Sequence, residues 1–183
     1  LEHKPKLFIS ASAIGFYGNR GDELLDESSS QGNDFLSDVC FKWEQATESA
    51  MDASIPTALI RTGIVLDPNG GTLKRMILPF KLGAGGRLGS GHQFMSWITL
   101  KDWVRAVKYI SDHNLTGVYN LVAPCAVTNS QFTKALGKRL NRPTLLPTPL
   151  FPLKALYSSE LVESLLLTSQ NVAPKALIEA GFD

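Results

Sequence analysis

Tyr17 lies just past the carboxyl end of an apolar run that begins at Leu7. Ligands of open α/β sheets bind outside the carboxyl ends of strands, so a ring there is either a lid on a cofactor or part of the core. Arg61 is a lone charge inside a second apolar run, Thr57 to Leu66. A guanidinium in that setting is costly unless it is paired or reaches a pocket. It is expected either to bridge to the acidic stretch Asp22–Glu27 or to Asp102, or to contact a ligand. The stretch Gly83 to Gly91 resembles a phosphate loop in composition only, because Leu88 occupies the position of the third fingerprint glycine and the loop leads into a strand rather than a helix. It is therefore not a pyrophosphate site, although glycine still permits a ligand to approach the backbone. Lys74, Arg75, Lys81 and Arg87 form a modest basic cluster beside it, suited to a phosphate or to a solvated face. His92, next to Gln93, has no carboxylate or cysteine partner in sequence, so it is polar surface unless the fold supplies one. Cys40, between Val39 and Phe41, reads as a small hydrophobe, and Trp97 and Trp103 read as core.

These side chains need a scaffold, and the hydrophobic pattern outlines it. Residues 7–12 are continuously apolar, as in a strand buried on both faces. Asn33 or Asp34 can cap a helix over 34–52, whose Phe35, Val39, Trp43, Ala46 and Ala50 are expected to form the buried face. A second strand over 57–66 completes a βαβ unit. A short helix or turn over 72–82, a strand over 94–98, a helix over 100–113, a strand over 118–122 and a helix from Thr128 or Asn129 to Asn141 follow. Pro143, Pro147, Pro149 and Pro152 interrupt regular structure before a helical pair over 153–167 and 174–180.

Of 183 residues, 44% are hydrophobic and 19% charged, which suits a packed core and excludes disorder. The net charge of +1, with no run of Lys or Arg, argues against nucleic acid or an acidic membrane as partner. Two cysteines, Cys40 and Cys125, make neither a disulfide framework nor a metal site, so no metal is expected. No stretch approaches the roughly 20 apolar residues of a membrane span. A cytoplasmic location fits, and an organelle matrix fits equally. Only six residues precede the first strand, which needs neighbours on both sides, and the chain stops where a helix would pass into another strand. The expectation is therefore the C-terminal part of a larger α/β protein.

Several segments resemble one family. Ser10-Ala11-Ser12-Ala13-Ile14-Gly15-Phe16-Tyr17-Gly18 resembles the serine-rich strand end with Tyr-Gly of extended short-chain dehydrogenase/reductases, the group of nucleotide-sugar epimerases. Ala58-Leu59-Ile60-Arg61-Thr62-Gly63 resembles their next parallel strand, and Gly89-Ser90-Gly91-His92-Gln93 with Ser96-Trp97-Ile98 and Asp102 resembles their glycine turn, strand and helix start. Asn33-Asp34-Phe35-Leu36, Lys42-Trp43-Glu44, Gly70-Gly71, Leu78-Pro79-Phe80, Gly85-Gly86 and Ser169-Gln170-Asn171-Val172 with Pro174 are similar to the atypical "epimerase family protein" subgroup, which carries a C-terminal domain of unknown function.

The resemblance implies the C-terminal half of a Rossmann-like doubly wound parallel sheet plus a small mixed C-terminal lobe. It divides the chain into 1–124, with substrate-side insertions over 67–98, and 125–183. It implies NAD or NADP as cofactor, met by Ser10, Ala11, Ser12, Thr62, Gly63 and Ile64. Arg61, Lys81, Arg87 and Gln93 fall on the substrate side, facing an unknown small molecule, and a homo-oligomer is compatible with the family. The family's Ser-Tyr-Lys relay, in which an ammonium lowers the pKa of a phenol, falls on Ala13, Leu36 and Cys40, none of which can serve. The asparagine after the second strand becomes Ile64, and the arginine that grips a sugar-nucleotide phosphate becomes Met95. The implied function is a NAD(P)-dependent epimerase or oxidoreductase with a non-standard proton donor, for which Ser12, Tyr17 and His92 are candidates. The alternatives are a catalytically inactive dinucleotide-binding sensor or partner-binding module and, as a third reading, a structural domain without cofactor.

Overall fold

The computed structural model describes residues 3–151, 154 and 159–183. Its centre is a parallel sheet of β1 (Phe8–Ala13), β3 (Thr57–Thr62) and β7 (Gly117–Leu121), in the order β1-β3-β7. Ser12 lies opposite Arg61, and Arg61 opposite Asn120, so the ladder aligns three polar residues near the carboxyl ends of three apolar strands. β3, the middle strand, is buried from Thr57 to Arg61, as its continuous apolar run requires. β1 has β3 as its one ladder partner among the described residues, and its Phe8 is accordingly exposed.

Helices cover both faces. On one side, α4 (Leu100–Asp112) and α7 (Lys175–Glu179) bring Ala106, Ile110 and Leu177 against Ala58, Ile60, Tyr119 and Leu121. On the other, α1 (Phe35–Gln45) packs with the 3₁₀ turn Ile14–Tyr17 in a cluster that includes Phe16, Cys40, Val122 and Val172. Asp34 caps α1 through a capping box with Ser37, whose amide donates to the carboxylate at 2.9 Å.

The expected helix over 34–52 is two helices, α1 and α2 (Glu48–Asp52), with the Thr47 hydroxyl donating back to the Glu44 carbonyl at the break. Its buried face also differs from expectation. Ser37, Cys40 and Thr47 are buried, whereas Phe35 is 67% and Trp43 54% exposed. The reason is steric and electrostatic. Cys40 is small enough to sit over Gly15, and Glu44 must face inward to meet Arg61, so the large apolar residues turn outward.

The expected strand over 57–66 breaks at Gly63. There β4 (Ile64–Leu66) leaves the sheet to pair in parallel with β6 (Trp97–Thr99). A Cβ on Gly63 would lie 2.7 Å from both the Ser96 carbonyl oxygen and Val122, so only glycine allows this crossing. The strand expected over 94–98 is likewise divided, because β5 (Phe94–Met95) pairs antiparallel with β8 (Val127–Thr128). The expected helix or turn over 72–82 is α3 (Gly71–Lys81), and Thr128 caps α5 (Asn129–Leu140) by a capping box with Gln131. Of the expected helix over 153–167, α6 (Ser159–Leu166) is described, while 153 and 155–158 lie outside the described residues.

The final segment crosses the division expected at 124/125. β9 (Asn171–Val172) pairs in parallel with β2 (Leu24–Leu25), and α7 then packs on the sheet. Ser169 and Gln170 bond Gly21, Ile14 and Gly18, and the Ser96 hydroxyl donates to the Gln170 carbonyl at 2.8 Å. The C-terminal segment is thus a strap sewn into the first lobe.

Candidate functional site

At the carboxyl ends of β1, β3 and β7 the aligned polar residues form one buried network. The Arg61 guanidinium makes a two-pronged bond to Glu44, with Nε to Oε1 and Nη2 to Oε2 both at 2.8 Å, and the side chains are only 5% and 10% exposed. The Ser12 hydroxyl donates to Glu44 Oε1 at 2.7 Å. Arg61 Nη1 donates to the Tyr17 oxygen at 3.0 Å, and Tyr17 in turn donates to Asn120 Oδ1 at 2.8 Å. The guanidinium also lies 3.5 Å from the centre of the Phe16 ring, a cation–π contact. Asn120 Nδ2 donates to the Ala173 carbonyl at 3.0 Å, while the Asn120 amide and the Ala176 amide both donate to the Glu27 carboxylate. The network therefore ties α1, all three strands and the C-terminal strap together.

This geometry settles what several candidates touch. Tyr17 has no exposed surface, and burial raises its phenol pKa, with Arg61 opposing the rise. Both of its polar contacts are within the protein, and it faces the network rather than open space. Arg61 pairs with Glu44, not with Asp102 or the Asp22–Glu27 stretch. Asp102 accepts from Thr99 and Arg105, Asp26 pairs with Lys175, and Glu27 enters the network through Asn120. Glu44 carried no signal as a site residue in the sequence, because its partner lies seventeen residues away on another element.

Ala13 packs against the cluster that holds Cys40, and Leu36 and Cys40 both lie against Gly15. A Cβ on Gly15, two residues after Ala13, would be 3.4 Å from Cys40 Sγ and 3.8 Å from Leu36 Cβ. Burial raises the Cys40 thiol pKa, so it is a neutral, inert group. Cys125 is exposed. A thiol-specific disulfide reagent is expected to titrate one cysteine at once in the native protein and the second only after denaturation. Rapid modification of both would contradict the burial of Cys40.

The residues on the cofactor side occupy strand ends. Ser10 and Ser12 alternate with exposed Ala11 on β1, and Thr62 ends β3, its hydroxyl oxygen accepting from Trp103 Nε1 at 3.1 Å. The Gly63 and Ile64 amides donate to Leu121 and Ser96 carbonyls. On the other lobe, Gln93 is buried and donates to the Leu88 and Leu166 carbonyls, so it braces the glycine loop. Arg87 donates to the Ser90 carbonyl at 2.8 Å. His92 and Lys81 are exposed, and no carboxylate bonds either one among the described residues.

The glycine loop itself is occupied by protein. The Gly86 amide donates to Thr148 Oγ1 and the Leu88 amide to Asn129 Oδ1, at 2.9 and 2.8 Å. A Cβ on Gly86 would fall 1.9 Å from the Leu146 carbonyl oxygen. These glycines admit the 146–148 chain, in keeping with their exclusion as a phosphate fingerprint. An open, mostly apolar hollow of about 670 Å³ lies between Leu66–Pro68 and the first turns of α4, and none of the candidates lines it. Among the described residues no three His, Cys, Asp or Glu side chains converge on a metal position, and no helix is long and apolar enough to cross a membrane.

No family model matches the sequence. An epimerase family protein of Mycobacterium tuberculosis is 47% identical over 175 residues, which is 95% of this chain and 58% of that protein. The crystal structure of human epimerase family protein SDR39U1 with NADPH superposes with a TM-score of 0.88 at 32% identity, covering 98% of this chain and 61% of the human one. UDP-glucose 4-epimerase of Thermus thermophilus, in complex with NAD, shares the fold with a TM-score of 0.70 at 15% identity, over 97% of this chain and 58% of that one. The chain spans about three fifths of the length of these proteins. With sequence identity and backbone agreeing along almost its whole length, the chain belongs to the epimerase family proteins, an atypical branch of the extended short-chain dehydrogenase/reductases.

Proposed function

We propose that this chain supplies one side of a NAD(P)-dependent epimerase- or oxidoreductase-like site that acts on a small molecule. The observation that carries the reading is the backbone agreement with NADPH-bound human SDR39U1 over nearly all of this chain. The local chemistry fits. Small residues, Ser10 to Ala13, end β1, and Thr62-Gly63 ends β3, so the carboxyl edge of the sheet is low enough for a flat ring to approach. The cofactor, when bound, supplies a hydride acceptor or donor.

This chain's own residues position rather than titrate. The Arg61–Glu44 pair fixes the Ser12 and Tyr17 hydroxyls, and the Ala13, Leu36 and Cys40 cluster presents an apolar floor in place of the usual proton relay. Of the three candidates Ser12, Tyr17 and His92, His92 is the exposed one and is then the side chain open to a substrate. The second reading, a dinucleotide-binding module without turnover, is favoured by that same apolar floor.

Titration calorimetry with NADPH, on protein that carries both sides of the site, tests the first step. Binding is expected, and Ala11→Trp, which blocks an exposed position on β1 without entering the core, is expected to abolish it. No heat of binding with the unsubstituted protein, or equal affinity in the variant, would refute the assignment. A His92→Gln variant that keeps NADPH affinity but loses turnover would separate the enzyme from the inactive binder.

A further inference from the structure

The net charge of +1 conceals a segregation. Segments 68–101 and 113–159 carry ten of the eighteen Lys and Arg and none of the seventeen Asp and Glu. Their stretches around α3 and α5 fold together, since α3 packs on α5, and Arg142 Nε donates to the Lys81 carbonyl at 2.9 Å. Among the described residues, the one ion pair these ten cations make is Lys154 to Glu163. The net charge argues against an acidic membrane for the chain as a whole, but a surface meets the local charge and not the mean.

The same lobe carries several of the most exposed apolar side chains of the described residues. Leu145 is 89%, Leu146 79% and Leu82 75% exposed, and Leu78 is 62% exposed one turn before Leu82. They are neighbours in space. The Leu146 carbonyl lies against Gly86, and Thr148 bonds the Ala84 and Gly86 carbonyls, which lays the 142–148 chain along the 81–88 loop. Exposure this high means protrusion. A small-molecule site needs a concave wall, and the hollows beside α4 and beside Pro174 include none of these residues. Leucines standing proud beside Lys81 and Arg142, on segments whose one carboxylate partner among the described residues is Glu163, match the interfacial layer of an anionic bilayer, where apolar groups enter the acyl boundary and cations remain among the headgroups.

We propose that the Leu82 and Leu145–Leu146 tips, flanked by Lys81 and Arg142, form a peripheral docking surface for anionic lipid membranes. Attachment is reversible and needs no spanning helix. It places the lobe that carries α3 and α5 on the membrane, and none of Ser12, Tyr17, Glu44, Arg61 and Asn120 bonds a contact residue among the described residues.

Vesicle flotation tests this, because aggregated protein sinks while bound protein rises. The chain is expected to float with vesicles containing about 30% phosphatidylserine and not with pure phosphatidylcholine. Raising the salt from about 0.1 to about 0.5 M should release it, as the screening length shortens. Leu145→Ser with Leu146→Ser, and separately Lys81→Glu, should each cut the bound fraction roughly tenfold. Both changes are at exposed positions, and an unchanged circular dichroism melt shows that the fold is intact. Failure to float with anionic vesicles, equal flotation with both compositions, or unchanged flotation of either variant would overturn the proposal. Retention on immobilised poly-glutamate that is indifferent to the leucine changes, without flotation, would assign the surface to an acidic protein and also overturn it.

Discussion

Arg61→Ala is expected to destabilise the protein by about 3–5 kcal/mol, since removing one member of a buried ion pair leaves the other charge uncompensated. Glu44 would remain almost fully buried, with the Ser12 hydroxyl as its surviving partner within the network. For a chain of this size the melting temperature should fall by roughly 6–20 °C, measured by calorimetry or denaturant titration. Replacing the pair together, with Arg61→Met and Glu44→Leu, should recover part of the loss, because it removes both charges rather than stranding one. A double-mutant cycle on these variants reports the coupling directly. A loss below about 1 kcal/mol in Arg61→Ala would show that the pair is dispensable. The same variant distinguishes the two roles considered for Arg61 from sequence. NADPH affinity unchanged beside a lowered melting temperature assigns the guanidinium to the scaffold, and the reverse assigns it to a ligand.

Asn120→Leu is expected to cost about 2–6 kcal/mol, because it strands two buried groups, each worth about 1–3 kcal/mol. The Tyr17 hydroxyl loses its acceptor and the Ala173 carbonyl its donor, at a position with no exposed surface. The loosened element should be the C-terminal strap. Amide exchange at Asn171 to Ala173 is expected to accelerate more than at β3, and uniform acceleration would refute the local account. Asn120→Asp adds a sign test. A carboxyl at this site faces the Ala173 carbonyl and lies near Glu27, so its folded-state pKa is raised above the unfolded value. The stability it contributes is present at acid pH, where its proton can bond the carbonyl, and is lost as pH rises through the raised pKa. A denaturation midpoint in Asn120→Asp that instead improves from about pH 4 to about pH 7 would contradict the bonding pattern.

The local grammar of this protein was legible from its residues. The apolar run of β3, the Asp34 and Thr128 caps, the span of α4 and the inability of Gly83–Gly91 to act as a phosphate fingerprint all follow from short-range rules of burial, capping and glycine placement. Residue likeness at Ser10–Gly18 and Ser169–Pro174 led to the family for the same reason, since motif types and spacing are carried by the chain itself. What side chains meet across the fold was decided only by tertiary structure. The apolar pattern of α1 indicated a buried Phe35–Trp43 face, yet that helix is rotated to deliver Glu44 to Arg61, because an unpaired guanidinium inside β3 costs more than exposing two aromatic rings. Strand breaks at Gly63 and after Met95 depend on the Ser96 backbone passing within contact distance, which no local window contains. The neighbourhood of Lys81 and Arg142 is likewise a product of folding, because the two lie on separate segments and meet only where α3 packs on α5.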